Sequence, residues 1–466
     1  MNALVVAFAV MLTLASLLVT QPVGGAPPLD SDTVGAEAIA LLADYLKIDT
    51  TNPPGNEIAA ARFLKAIFDR EGIEARVIES EPGRANVYAR LKGTGARKAV
   101  ILLNHMDVVP ADKKFWSADP FGGVVKDGYL WGRGALDMKG HGILQLVTML
   151  AFKRQGLPLE GDVIFLAVAD EEAGGQLGAE FMLREHFDLL KDASVVLNEG
   201  GNLEVLGGRT WHFVGVSEKS PLRLAIIASG PPGHGSIPRR DSAVKKLVGA
   251  LERIMNHETP LKVLPEVQEF YTAIAELAPP EHRHRLRDLT TALGDKAFAD
   301  GFTRRARDNA RVRNTIAVTM LEGSSKVNVI PNEARAEIDV RLLPGEDPKA
   351  FVEEIRRVIA DDTIRVESTF RVMTGGSPTT HEFFRDLRRL AASEDPRAVV
   401  TPILMTGASD CRYFRVRGIP CYGYAPFTLS AGEYDRVHGN DERVSVDNVR
   451  QGTRMFYELV RGLVAP

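Results

Sequence analysis

The sequence predicts an α/β protein: a mainly parallel central sheet with a smaller α+β unit inserted into it. Three observations predict this. Apolar runs of strand length alternate with amphipathic helical stretches through the first half of the chain. Several of those runs end on His, Asp or Glu, and in open α/β sheets the carboxyl edge is where ligands bind. After Glu218 the order changes to β-α-β-β-α-β, the ferredoxin-like split motif, which closes without help from the flanking chain. A length of 466 residues exceeds one core of usual size, and an insertion accommodates the surplus. The composition, 45% hydrophobic and 25% charged, is that of a globular protein. A formal charge of −4 argues against nucleic acid or an anionic membrane surface as partner.

Residues 1–20 carry no charged side chain and are followed by a looser stretch ending Gly24-Gly25-Ala26. This predicts an export signal over 1–26 and a protein that is periplasmic or secreted. The absence of a basic residue at the start, and Pro27 after the cleavage site, leave an uncleaved anchor as the alternative, since about 20 apolar residues span a bilayer. Helices are expected from Thr33 through Ile48 and over 57–71, then strands over ARVIES, ANVYARL and KAVILLNH. A loop containing Asp137 leads to a long apolar helix over 139–155. Two further strand-like runs, VIFLAVADEE and SVVLNEGG, end in acids. The main unit is therefore placed at 30–218 and 373–466, and the inserted one at 219–372, enlarged by extra helices over about 257–312. His282 and His284 in that extra stretch read as a solvated basic face. Cys411 and Cys421, ten residues apart, permit either a disulfide or two buried thiols.

The chemistry centres on NHMDVVP, where His105 and Asp107 share a face at the end of a buried strand. A metal-bound imidazole donates its second nitrogen's proton to a carboxylate or carbonyl, so Asp107 is expected to orient His105. The other strand-end groups are Asp137, Glu171, Glu172, Glu199 and His438. Nitrogen and oxygen donors without thiolate suit zinc, with cobalt or manganese as substitutes. Three carboxylates are too many for one catalytic zinc. Two ions fit better, with Asp137 bridging, His105 and Glu199 on one ion, and Glu172 and His438 on the other. Three carboxylates and one hydroxide then neutralise two divalent ions, and such a pair lowers the bound water's pKa. Glu171 is left over as general base. Each group alone reads blandly, as a turn acid, a helix cap or a loop donor. His141, one helical turn beyond Asp137, is a competing ligand.

NHMDVVP, W-x-x-x-P-F with GRGALDMKG, ADEE, LNEGG, GHGS, NVIP and VHGNDE occur in that order. Together they resemble the dinuclear-zinc metallopeptidase family of carboxypeptidase S, aminoacylase, acetylornithine deacetylase, succinyl-diaminopimelate desuccinylase and glutamate carboxypeptidase. VSEKS, KVNVIP and YDRVHGNDERVSV look closest to the carboxypeptidase S branch. The resemblance implies a zinc-peptidase catalytic domain with an inserted lid that also serves dimerisation. It implies the same five ligands, Asp107 as support and Glu171 as base. It further implies that His234 reaches the partner subunit's substrate carbonyl, where a donor stabilises developing oxyanion charge. Asn328 and Arg341 match positions that hold the substrate's carboxylate and carbonyl, and a guanidinium suits a bidentate carboxylate. Gly407, Ser409 and Asp410 match a substrate-side loop. Met138 stands where close relatives often have a second Asp, and His141 where Gly is common.

The expected activity is hydrolysis of an amide bond beside a free carboxylate, as a carboxypeptidase on short peptides. The alternative is an N-acyl amino acid amidohydrolase. Two rivals share the fold: a silent peptide-binding protein, and an aminopeptidase, which would need to recognise a free amine.

Overall fold

All seven residues of the strand Ala99–His105 are buried, as its unbroken apolar run requires of a strand covered on both faces. The computed structural model describes residues 29–370 and 375–466, and the expected export segment 1–26 lies outside the described residues. Ala99–His105 is central to a nine-stranded sheet, parallel to Val163–Val168 on one side and to Ala193–Asn198 on the other. Cys421–Gly423 continues the parallel core. Arg84–Leu91 and Ala75–Glu81 complete one edge in antiparallel pairing. Arg209–Glu218 and Val399–Met405 form the other, parallel to each other. The sequence pattern passes over these last two. Pro402 obscures Val399–Met405, and proline is tolerated there because the strand is at the sheet's edge.

The helix Lys139–Gln155 is buried along most of its length and stops at Gly156, whose φ of 60° supplies the left-handed cap. With Ser31–Leu46, Glu57–Arg70 and Val446–Val464 it covers one face of the sheet. Ala179–Glu185 and Cys411–Val416 contribute Met182, Leu183 and Phe414 to the cluster on the other face. Because the central strands run parallel, their carboxyl ends meet along one edge. His105 ends the first of them; Glu171 and Glu172 follow Val163–Val168, and Glu199 follows Asn198.

A second sheet, entirely antiparallel, has the order Thr315–Glu322, Glu333–Leu342, Ser220–Ser229, Ile364–Phe370. This is the strand order of the expected split motif. In Glu333–Leu342 buried and more accessible residues alternate, the mark of a sheet with one covered face. Helices Ala243–Met255 and Pro348–Ile359 cover it through Leu247, Ile254, Phe351 and Ile355. The extra segment is placed differently from expectation. Rather than enlarging this unit, its helix Pro265–Ile274 packs on Val399–Met405, and Val267, Phe270, Tyr271 and Phe302 share a cluster with Trp211, Phe213 and Leu404 of the central sheet. The large apolar side chains of that edge need a cover, and these helices provide it.

Candidate metal centre

Five side chains from strand ends and loops converge. His105 Nε2 lies 3.1 Å from Asp137 Oδ1 and 3.6 Å from Glu199 Oε2. His438 Nε2 lies 2.9 Å from Asp137 Oδ2 and 3.2 Å from Glu172 Oε2. Asp137 therefore offers one oxygen to each of two donor triads, and within each triad the ligand atoms lie within 4.8 Å of one another. Glu172 Oε1 is buried with no hydrogen-bond partner, a costly state for a carboxylate oxygen unless a cation meets it. Imidazole and carboxylate donors in two triads sharing one acid fit a pair of divalent cations.

The electrostatics carry the same message. Burial, and then the neighbouring Asp137, push Glu199 up to about 8. Burial opposes ionisation of Asp137, yet its bonds to His105 and His438 hold it well below the usual carboxylate range. Hydrogen bonds to Asp137 and Glu172 raise His438 to about 10. Glu171 is raised well above an ordinary glutamate by burial and by the charges of Glu199 and Asp410. The site holds more buried negative charge than two histidines can balance.

Asp107 supports the centre differently from expectation. His105 Nδ1 donates to the backbone carbonyl of Asp107 at 2.9 Å, while the nearer carboxylate oxygen is 3.6 Å away. A carbonyl only accepts, so Nδ1 carries the proton and Nε2 keeps its lone pair for the centre. The Asp107 carboxylate instead accepts the N–H groups of Glu171 and Glu172, each at 3.1 Å, and Asn52 Nδ2 at 2.8 Å. It thereby fixes the turn that presents both glutamates.

A buried pair absent from the sequence reading joins the remaining two loops. Glu442 Oε1 accepts the N–H groups of Leu136 and Asp137, at 2.8 and 3.1 Å. Its Oε2 accepts Arg133 Nη1 at 2.6 Å, and Arg133 Nη2 donates to the carbonyls of His438 and Gly439 at 3.3 and 2.9 Å. The loops carrying Asp137 and His438 are thus bound to one ion pair. The available signal was an acid four residues beyond His438 within VHGNDE.

The centre opens into a cavity of about 480 Å³. Its polar lining includes Asp137, Glu172, Glu199 and His438 of the donor triads, with Glu171, Asn202, Arg223, Arg341 and Arg412; its apolar wall includes Leu136, Phe427, Leu429, Tyr434 and Val437. Gly407 lines it, but Ser409 does not: its N–H and hydroxyl both donate to Glu218 Oε2 at 2.8 Å. Asp410 is likewise buried, and burial pushes it up to about 7. His234 and Asn328 lie together outside the cavity, on an exposed ribbon pairing Gly233–His234 with Val329–Ile330; Gly235 N donates to the Asn328 carbonyl at 2.8 Å. His141 lines the cavity but belongs to neither donor triad; burial drives it down to about 3, leaving a neutral ring against the edge of Phe456. His282 and His284 are exposed on the helix Pro280–Arg287. Cys411 and Cys421 form a disulfide that ties the start of the helix Cys411–Val416 to the strand Cys421–Gly423 of the central sheet.

This geometry agrees with what the chain is similar to. Over 376 residues it is 29% identical to "Probable carboxypeptidase S-like 2" of Dictyostelium discoideum, covering 78% of this chain and 71% of that protein. It is 28% identical to aminoacylase-1 of Sus scrofa over 444 residues, covering 92% and 95%. The fold matches an M20 family metallo-carboxypeptidase from Sulfolobus solfataricus with a TM-score of 0.68 at 19% identity, covering 91% of this chain and 98% of that one. Residues 101–462, which span the centre from His105 to His438, match the model of peptidase family M20/M25/M40, and the chain belongs to that family of metal-dependent hydrolases.

Proposed function

We propose that this protein is a zinc-dependent hydrolase that cleaves an amide bond beside a free carboxylate, as a carboxypeptidase on short peptides. One observation carries the reading: a single cavity is bounded by acids of both donor triads and His438, by Glu171 outside them, and by arginines able to hold a carboxylate. His105, Asp137 and Glu199 would hold one ion, and Asp137, Glu172 and His438 the other. When bound, such a pair supplies Lewis-acid polarisation and an activated water at neutral pH. Glu171, with its raised proton affinity, takes the water's proton and returns it to the leaving nitrogen. Arg341 and Gly407 contact the substrate from the cavity's other side. Zinc is favoured by the donor types, with cobalt or manganese as substitutes. Elemental analysis should give two metal ions per chain, and chelation should abolish activity. Glu171→Ala should keep both ions and lose about 10²–10⁴-fold in kcat. Ready turnover by Glu171→Ala would defeat the base assignment.

A second reading, hydrolysis of N-acyl amino acids, is favoured by the cavity's charge inventory. Among the described residues, the only carboxylates lining it are Asp137, Glu171, Glu172 and Glu199, all assigned to the centre's chemistry. None is left to receive a free ammonium, which counts against an aminopeptidase and suits a blocked, apolar acyl group beside Phe427 and Leu429. Dipeptides tested against N-acetyl and long-chain N-acyl amino acids decide between the two.

The unit at 219–372 is proposed as a lid through which two copies pair. Exposed Met320, Leu321, Val244 and Val248 offer an apolar surface for that contact, and His234 would act across it in the partner's site. Mixing inactive His234→Ala and Glu171→Ala subunits should restore part of the activity; no recovery after proven subunit exchange would refute action in trans. Export is proposed from the apolar start, and the Cys411–Cys421 bond suits an oxidising compartment.

A further inference from the structure

We propose that His141 is the polar end of the cavity's apolar wall, and that it selects substrates whose acyl part ends in a neutral hydroxyl or carboxamide. The inference rests on the amide-hydrolase reading and deepens it by naming the class of acyl group. His141 stands in the first turn of the helix Lys139–Gln155, is fully buried, and lines the same cavity as Asp137, Glu172 and Glu199. Phe427 of the apolar wall abuts the helix there: its Cζ lies 3.5 Å from the point where a Cβ on Gly140 would sit. The ring of Phe456 packs nearly perpendicular to the imidazole, with centroids 5.1 Å apart. A polar ring is thus set among aromatic neighbours at the edge of the site.

Such a ring needs a hydrogen-bonding partner, because a buried polar group left unpaired costs stability. Among the described residues neither nitrogen of His141 has one. Gln145, one helical turn on along the same face, is already committed: its Oε1 accepts Asn104 Nδ2 and its Nε2 donates to the Leu103 carbonyl, both at 2.8 Å. Neither donor triad includes His141. Burial lowers it to about 3, so the ring stays neutral and offers one donor and one acceptor. A hydroxyl or a carboxamide answers both, a methyl group answers neither, and a charged group meets no opposite charge on the ring. The protein's own groups leave these two hydrogen-bonding positions to the substrate.

The test uses the full-length, metal-loaded enzyme and two substrate comparisons. One sets N-acetyl-glutaminyl-alanine against N-acetyl-methionyl-alanine, and the other sets N-(ω-hydroxyacyl)-methionines against N-acyl-methionines in which a methyl replaces the hydroxyl. In whichever comparison the enzyme cleaves, the polar member should be favoured in kcat/KM by about tenfold to a thousandfold. His141→Leu should turn this preference toward the apolar member, and His141→Gln, which keeps a neutral donor and acceptor, should retain part of it. Each preference is a ratio within one preparation, so a smaller folded fraction cancels. Wild-type enzyme that favours the apolar member at every chain length, or a preference that His141→Leu leaves unchanged, would overturn the assignment and leave the amide-hydrolase reading standing. Wild-type enzyme with two bound ions that cleaves no N-acyl amino acid and no peptide would overturn that reading and this inference with it.

Discussion

Charged side chains follow opposite rules at the carboxyl edge of the central sheet and on the open face of the four-stranded sheet. On the open face three acids have a guanidinium beside them: Glu337 with Arg335 at 2.6 Å, Asp339 with Arg341 at 2.8 Å, Glu367 with Arg365 at 3.0 Å. Water screens these pairs, which neutralise themselves and hold little energy. At the carboxyl edge four acids, Asp137, Glu171, Glu172 and Glu199, crowd against two imidazoles in a largely buried space. There the charges cannot balance internally, and the fold itself is built to keep them together. The comparison separates charge that maintains solubility from charge held ready for cations.

The largest expected effect comes from removing the shared acid. Asp137→Asn should empty both metal sites in elemental analysis and lower activity by more than the roughly 100-fold that loss of an outer-shell partner costs. Full retention of either ion would show that the triads are independent. Next, Glu442→Gln breaks a fully buried ion pair and should destabilise the protein by about 3–5 kcal/mol in urea titration, with weaker metal binding. A loss below about 1 kcal/mol would place this pair with the surface pairs of the other sheet.

The metal-free protein should also respond to pH in a definite direction. His438, raised from 6.5 to about 10, and Glu199, raised from 4.5 to about 8, both bind protons more tightly in the folded state than in the unfolded chain. The stability linked to Glu199 is fully present below 4.5 and lost as pH rises through about 8; that linked to His438 is present below 6.5 and lost through about 10. Buried Lys139 and Lys219, lowered from 10.5 to about 7, pull the other way in the upper part of this range. The readout is therefore the difference in Tm between zinc-loaded and metal-free protein, which should widen from pH 6 to pH 10 because cations replace the protons on Glu199 and His438. A difference that narrows over this range would contradict the charge crowding. Smallest of all, Arg365→Ala on the open face should change stability by less than about 1 kcal/mol in the same titration.

Much of the centre was legible because parallel strands put function at their ends. His105, Glu171, Glu172 and Glu199 close apolar runs, and such a run fixes both the strand and its last residue. The split motif after Glu218 was legible through its alternation and its helix spacing. Harder to see were roles that depend on what a side chain meets. Asp107 looked like the partner of its neighbour His105, yet its carboxylate holds a turn 64 residues away and only its backbone carbonyl touches the imidazole. Ser409 looked free for substrate, but Glu218 claims it from 191 residues off. Arg341 was read as the substrate's anchor, and the sequence did not show that Asp339, two residues before it, accepts its guanidinium.

The sequence alone therefore determined most of the strands, the donor types and the number of charges to be gathered, because periodicity and composition are local properties of the chain. Tertiary structure alone decided which carboxylate braces the loops of Asp137 and His438, which groups Asp107 and Ser409 bond, and which sheet the extra helices cover. Those outcomes depend on distances of a few ångströms between residues far apart in the chain, and only packing sets such distances.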